Sequence, residues 1–304
     1  MTRAVTVGAG QLGPIQRSDT RKDVVERLLV LLHRAHGAGC DLVVFPELAL
    51  TTFFPRWWME DQAETDQFFE TEMPGPETKP LFDKARRLGI GFSLGYAELT
   101  ADGHHYNTQV LVDPGGRVVG SYRKVHLPGH AEHEPWRPFQ HLERRYFEAG
   151  DGFHVWPAFG GTVGMAICND RRWPETYRVL GLAGAELVLI GYNTPRHYPP
   201  DPGQDRLGEF HNHLVMQAGA YQNGMFVVGV AKCGVEEGVE MIGESAVYAP
   251  SGQVLAMCGT QEDELAVARC DLDWCRRYRE TVFDFARYRQ PWAYRAITDP
   301  RDEE

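Results

Sequence analysis

TVGMAICNDRRWPE, residues 162–175, carries the pattern from which the rest of the chain can be read. Its first six residues form a short apolar run of the kind that makes a buried strand. The run stops at Cys168, and charged residues follow. Trp173-Pro174-Glu175 then offers a helix start, because proline fixes φ near the helical value and a first-turn residue needs no N–H. ELVLI at 186–190 reads as the next buried strand. Buried strands with helices between them imply a layered α/β fold.

The same alternation extends in both directions. Towards the N-terminus, residues 4–10, 41–46 and 90–97 read as strands and 77–88 as a helix. Residues 20–36 read as an amphipathic helix, capped by Thr20, with Val24, Val25, Leu28, Leu31 and Leu32 as its apolar stripe. Segments 106–112 and 117–123 flank Asp113-Pro114-Gly115-Gly116, a strong hairpin turn. Towards the C-terminus a helix at 205–223 precedes strands at 225–231, 244–249, 254–258 and 264–271, with a turn at 249–252 and a short helix from Asp271. The two hairpin turns require antiparallel pairs, so the sheet is expected to be mixed. No linker, repeat or low-complexity tract divides the chain, and residues 1–304 are expected to form one unit.

Composition removes several classes of function. The chain has 304 residues with 31 Lys+Arg against 42 Asp+Glu, a formal charge of −11, which argues against a broad nucleic-acid-binding face. Residues 60–77 hold seven acids and no Lys or Arg, and 299–304 hold four acids and one Arg, so the remainder is nearly balanced. No stretch approaches the roughly 18–20 apolar residues of a membrane span. Residues 1–11 lack the apolar core of a signal peptide. Six cysteines with no CxxC pair read as reduced thiols of a cytoplasmic protein. There is no GxGxxG after the first strand and no GxxxxGK[ST], so dinucleotide and P-loop chemistry lack their phosphate cradle.

Three polar residues directly follow apolar runs: Glu47 after LVVFP, Lys124 after VVGSYR and Cys168 after TVGMAI. Strand ends of an α/β scaffold can converge on one site while the sheet holds them rigid. Each alone is an ordinary surface or core residue. Together they suit nucleophilic attack on a carbonyl or nitrile carbon with release of an amine. The carboxylate takes the thiol proton, and the ammonium stabilises the oxyanion together with the Asn169 backbone N–H. No metal or organic cofactor is needed. The histidine groups His126-x3-His130-x2-His133 and His211-x-His213 do not read as a zinc site, since Pro128-Gly129 breaks the first and no HExxH is present.

FPE at 45–47, YRKVHLP at 122–128 and GMAICNDRRWPE at 164–175 resemble the three catalytic segments of the nitrilase superfamily of carbon–nitrogen hydrolases. ELALTTFFPRW at 47–57, EMPGP at 72–76, RPFQHLERRYFE at 137–148, GYNTP at 191–195 and MQAGAYQNG at 216–224 extend the likeness almost end to end. With them the chain resembles the N-carbamoyl-D-amino acid hydrolases. That resemblance implies an αββα sandwich of two central mixed sheets flanked by helices, assembling as a homodimer or homotetramer, with the tail from about 280 to 304 used in subunit contacts. It implies Glu47 as base, Lys124 as oxyanion stabiliser, Cys168 as nucleophile and Glu143 as a second carboxylate. It places His126 and His141 beside them as orienting partners. The stretches 132–136 and 232–241 match less well, which leaves loop shape and side-chain preference open.

The implied substrate is a small molecule bearing a ureido group and an α-carboxylate. Arg171-Arg172, three and four residues after Cys168, supply guanidinium groups suited to a carboxylate. Adjacent residues seldom point the same way, so one is expected to bind substrate and the other to be structural; the resemblance favours substrate contact from Arg172 and extends it to Arg171. Asn169, Asn193 and Thr194 are further substrate-binding candidates. Phe53, Phe54, Trp57 and Trp58 read either as a pocket lining or as a core cluster. The alternatives are another hydrolase of this fold, such as a β-ureidopropionase, an aliphatic amidase or a nitrilase, and a non-catalytic protein on the same scaffold.

Overall fold

A computed structural model describes residues 3–299 of the chain. In chain order its strands are β1 (Ala4–Gln11), β2 (Leu42–Val44), β3 (Gly91–Leu99), β4 (His105–Val112), β5 (Val118–Arg123), β6 (Val155–Ala158), β7 (Gly161–Ile167), β8 (Leu187–Tyr192), β9 (Phe226–Ala231), β10 (Cys233–Glu236), β11 (Val239–Ile242), β12 (Ala246–Tyr248), β13 (Val254–Met257) and β14 (Glu264–Asp271). Two six-stranded sheets result, ordered β14-β1-β2-β3-β4-β5 and β13-β12-β9-β8-β7-β6, with β10 and β11 as a separate hairpin.

Each sheet is mixed, as the hairpin turns required. β1, β2 and β3 run parallel, whereas β4, β5 and β14 pair antiparallel. β7, β8 and β9 likewise run parallel, with antiparallel pairing to β6 and β12. The parallel strands β2, β8 and β9 are buried at every residue, because both faces of the sheet are covered.

Four layers follow from where the apolar faces go. Between the sheets, Val5, Val7, Ala9 and Val44 share a core with Met165, Ile167, Leu189 and Val228. Outside the first sheet, the Arg21–Gly37 and Lys79–Leu88 helices pack Leu28, Leu31, Leu32, Leu81 and Phe82 onto Val43, Phe92 and Leu94. Thr20 does cap the first helix, in a capping box closed by Asp23. Outside the second sheet lie the Pro174–Leu182 and Gly208–Asn223 helices, which bury Tyr177, Leu180, Met216 and Ala220. Each buried Leu or Phe contributes about 1.5–3 kcal/mol. The architecture is the αββα sandwich that the segments implied.

The differences from the sequence reading are local. β6 and the β10–β11 hairpin were not anticipated. The strand expected at 41–46 ends at Val44, because Phe45–Glu47 leave the ladder to form the site. The helix expected from 205 starts at Gly208. The acidic stretch 60–77 contains a short helix, Gln62–Asp66, whose cap is Asp61. Of the acidic tail, 300–304 lie outside the described residues.

Candidate active site

The site lies past the carboxyl ends of β2, β5, β7 and β8, two strands from each sheet. Such a crevice at strand ends is where open α/β sheets place ligands. Lys124 directly follows β5, Cys168 follows β7, Asn193 follows β8, and Glu47 sits three residues beyond β2. The sheets therefore hold all four at fixed positions.

Glu47 is wholly buried. Its Oε1 accepts from Lys124 Nζ at 2.8 Å and from Asn107 Nδ2 at 2.8 Å, and its Oε2 accepts from the Asn193 backbone N–H at 3.0 Å. The turn carrying it is wedged between the sheets. A Cβ on Gly95 of β3 would lie 2.6 Å from Pro46 O, and one on Gly191 of β8 would lie 2.5 Å from Glu47 N. Both positions therefore need glycine.

Lys124 Nζ also donates to Glu143 Oε2 at 2.5 Å, so one ammonium is shared by two buried carboxylates. Burial lifts the Glu47 carboxyl, Lys124 opposes this, and Glu143 reinforces it; the net direction is up. Glu143 goes the other way: burial would raise it, but Lys124 and the His141 imidazole, 3.2 Å away, hold it below the usual carboxylate range. Burial pulls Lys124 down, and Glu143 and Glu47 more than reverse that, so it stays charged. Two carboxyl groups pushed apart in this way divide the roles: Glu47 can carry a proton, and Glu143 keeps the lysine ionised.

Cys168 occupies a sharp strand-to-helix turn with φ of +47°. A left-handed non-glycine residue costs about 1–3 kcal/mol and persists only where its surroundings enforce it. Arg171 Nη1 donates to Cys168 O at 2.7 Å, and Cys168 Sγ lies 3.5 Å from Asn193 O. The short helical turn Cys168–Arg172 leaves its first N–H groups, Asn169 among them, without intrahelical partners. Burial and the Glu47 charge push the thiol up to about 11, so it needs a base to react at neutral pH.

A cavity of about 510 Å³ opens onto Cys168 and is walled by Asn169, Arg171, Arg172, Asn193, Thr194 and His141, among others. The two arginines differ sharply. Arg171 is buried and tied to Cys168 O, to Asn212 Oδ1 at 2.9 Å and to Thr194 Oγ1 at 2.8 Å, with its guanidinium 4.2 Å from the Tyr192 ring centroid. Arg172 is exposed within the cavity and has no hydrogen-bond or ion-pair partner among the described residues. Asn193 Nδ2 donates to Glu47 O at 2.8 Å, and Asn169 Nδ2 donates to His126 O at 3.3 Å, so both amides also have structural duties.

His126 does not touch the lysine or the thiol; it meets Asp170 at 2.9 Å and stacks on Trp173. The aromatic run resolves as core: Phe54 stacks on Phe68 at 4.7 Å and packs with Phe69, Tyr146 and Phe147, while Phe53 shares the same cluster. Of that run, Trp57 lines a neighbouring cavity of about 670 Å³, and Phe53 lines a much smaller one beside His141. The histidines disperse as well, and no three metal-ligating side chains gather among the described residues. Sequence reasoning missed Asn107, Asp170 and Asn212, each a buried polar residue within an otherwise apolar or already interpreted stretch.

A buried Cys, Glu and Lys meet at strand ends of an αββα sandwich, an arrangement suited to thiol attack on an amide carbon. The chain belongs to the carbon-nitrogen hydrolase family, whose pattern it matches over residues 6–280. It is 32% identical to a nitrilase of Pyrococcus abyssi over 82% of this chain and 84% of that one. It is 29% identical to an N-carbamoylputrescine amidase of Solanum lycopersicum over 97% and 95%. Its fold superposes on the carbon-nitrogen hydrolase of Helicobacter pylori G27 with a TM-score of 0.84 at 22% identity, covering 98% of this chain and 99% of that one. The relatives place the enzyme among amide hydrolases of the nitrilase superfamily; they are named for nitrilase and N-carbamoylputrescine amidase activity, not for the D-carbamoyl class that the sequence segments resemble.

Proposed function

We propose that the enzyme hydrolyses the ureido C–N bond of N-carbamoyl-D-amino acids to the D-amino acid, ammonia and carbon dioxide. The observation that carries this reading is the unpartnered Arg172 guanidinium in the cavity that opens onto Cys168. A carboxylate-bearing substrate supplies the partner that side chain lacks. The D configuration rests on the likeness of CNDRRWPE, GYNTP and MQAGAYQNG to the D-carbamoyl hydrolases.

In the proposed reaction Glu47 takes the Cys168 proton as sulfur attacks the ureido carbon. Lys124 Nζ and the Asn169 N–H hold the oxyanion. The C–N bond to the terminal amine breaks, and Glu47 returns its proton to the departing ammonia. Water, activated by Glu47, then cleaves the carbamoyl thioester. The N-carboxy amino acid loses carbon dioxide, and Cys168 regains its proton. Glu143 holds the Lys124 charge throughout. We also propose that the chain works as one unit within a cytoplasmic homodimer or homotetramer, because the outer helices and the tail expose apolar residues.

The test is ammonia release from N-carbamoyl-D- and L-amino acids, β-ureidopropionate, N-carbamoylputrescine and a simple nitrile. Release is expected from the D-carbamoyl compounds, with loss of at least roughly a thousandfold in Cys168→Ala. No release from them, or substantial activity in Cys168→Ala, overturns the reading; preference for another substrate in the set reassigns it.

A further inference from the structure

We propose that Asp170 is a positioning residue that sets the Cys168 turn and the Lys124 strand end in register with one another. Its carboxylate is wholly buried and accepts four hydrogen bonds. Oδ2 accepts from the Ile167 backbone N–H at 2.9 Å and from the Tyr122 hydroxyl at 2.6 Å. Oδ1 accepts from the His126 backbone N–H and from His126 Nδ1, each at 2.9 Å.

These donors bracket the two reacting groups. Ile167 immediately precedes the nucleophile. Tyr122 and His126 each lie two residues from Lys124, one on either side, and the Tyr122 hydroxyl also accepts from the Val125 N–H at 3.3 Å. Cys168 and Lys124 stand in different sheets, so no strand ladder fixes one against the other. Asp170 supplies that link through both its oxygens.

The choice of donors argues for position rather than for charge pairing. No Lys or Arg among the described residues pairs with Asp170. The adjacent Arg171 turns away to Asn212 and Thr194. A buried carboxylate served by two amides, a phenol and an imidazole is costly unless every bond is made. The Ile167 bond spans Cys168 and closes the turn in which that residue is left-handed. The Nδ1 contact fixes the ring of His126, whose carbonyl in turn accepts from Asn169 Nδ2.

The turnover arm of the test rests on the hydrolase reading; the labelling arm does not. Asp170→Asn keeps the shape but removes two acceptor sites, and Tyr122→Phe removes one of the four bonds to Asp170 together with the longer Val125 N–H contact. Asp170→Asn is expected to lower kcat by roughly 100-fold and Tyr122→Phe by about tenfold, with KM within about threefold, as for reacting groups displaced by a fraction of an ångström. The rate of Cys168 alkylation by iodoacetamide, followed against pH, is expected to fall in the same order while the melting temperature of Tyr122→Phe drops by only a few degrees, about the cost of a lost buried hydrogen bond. A wild-type kcat and alkylation profile in Asp170→Asn overturns the proposal. So does an unchanged Tyr122→Phe, which decides the matter if Asp170→Asn does not fold. If the parent enzyme hydrolyses no carbamoyl substrate, the functional reading fails and the alkylation order alone judges Asp170.

Discussion

Glu47 and Glu143 compete for the Lys124 ammonium, and their unequal shares govern how the site responds to pH. Glu47 must be unprotonated to take the thiol proton, and its carboxyl is raised. Activity should therefore fall, as pH drops, from above the usual carboxylate range. Glu143 contributes to that rise, so Glu143→Gln is expected to move the acid limb of the kcat/KM profile to lower pH while reducing kcat; an unmoved limb would refute the shared-ammonium account. In the proposed function Arg172 serves binding rather than chemistry. Arg172→Ala should raise KM for carboxylate-bearing substrates by roughly 10–100-fold with kcat little changed, the effect of losing a charge-assisted hydrogen bond. Steady-state kinetics on an N-carbamoyl amino acid and on a simple amide would separate these effects. Glu47, Lys124 and Cys168 stood out as a set, because each directly follows an apolar run and each lies in a segment resembling one of the three catalytic segments of the nitrilase superfamily. Which of two adjacent arginines is free was not legible, because that depends on the left-handed turn at Cys168.

At the level of elements, the site depends on two strands that approach the Glu47 turn from opposite sheets. Gly191→Ala would place a methyl group 2.5 Å from Glu47 N. Overpacking of this kind costs about 1–3 kcal/mol, read from a urea titration, and the turnover loss should exceed the stability loss because the base itself is displaced. Gly37→Ala, with open space at its Cβ, should leave both near the parent. The strands and long helices were readable from period and turn residues. The β10–β11 hairpin was not, because its two strands, CGVE and VEMI, are only four residues long and show no sustained alternation. What anchors it is long-range: Glu236 is buried against Arg56 and Lys232, and it accepts from the N–H groups of Ile15 and Phe53.

For the whole molecule, the unpartnered apolar surface is the informative feature. Phe210 and Leu214 on one outer helix, Val179 and Leu182 on the other, and Trp292 and Ile297 in the tail are all exposed. Exposed apolar clusters of this kind mark association surfaces. Light scattering is expected to find a dimer or larger, and Phe210→Glu with Leu182→Glu should release monomer; a monomeric parent would refute this. The six cysteines are all free and buried, yet Cys168 opens onto the cavity, and so it should be the first thiol alkylated at neutral pH.

Most of the order of strands and helices, the mixed sheets, the capped first helix and the candidacy of Glu47, Lys124 and Cys168 came from the sequence itself. Each is a local consequence of side-chain period, turn chemistry or a polar residue ending an apolar run. Tertiary structure alone decided that Arg171 braces the Cys168 turn while Arg172 stays free, that the Phe53–Phe54 run is core, and that Asp170 joins the two strand ends at the site. Those outcomes depend on which side chains meet across layers, and contacts between residues tens of positions apart leave no periodic mark on the chain.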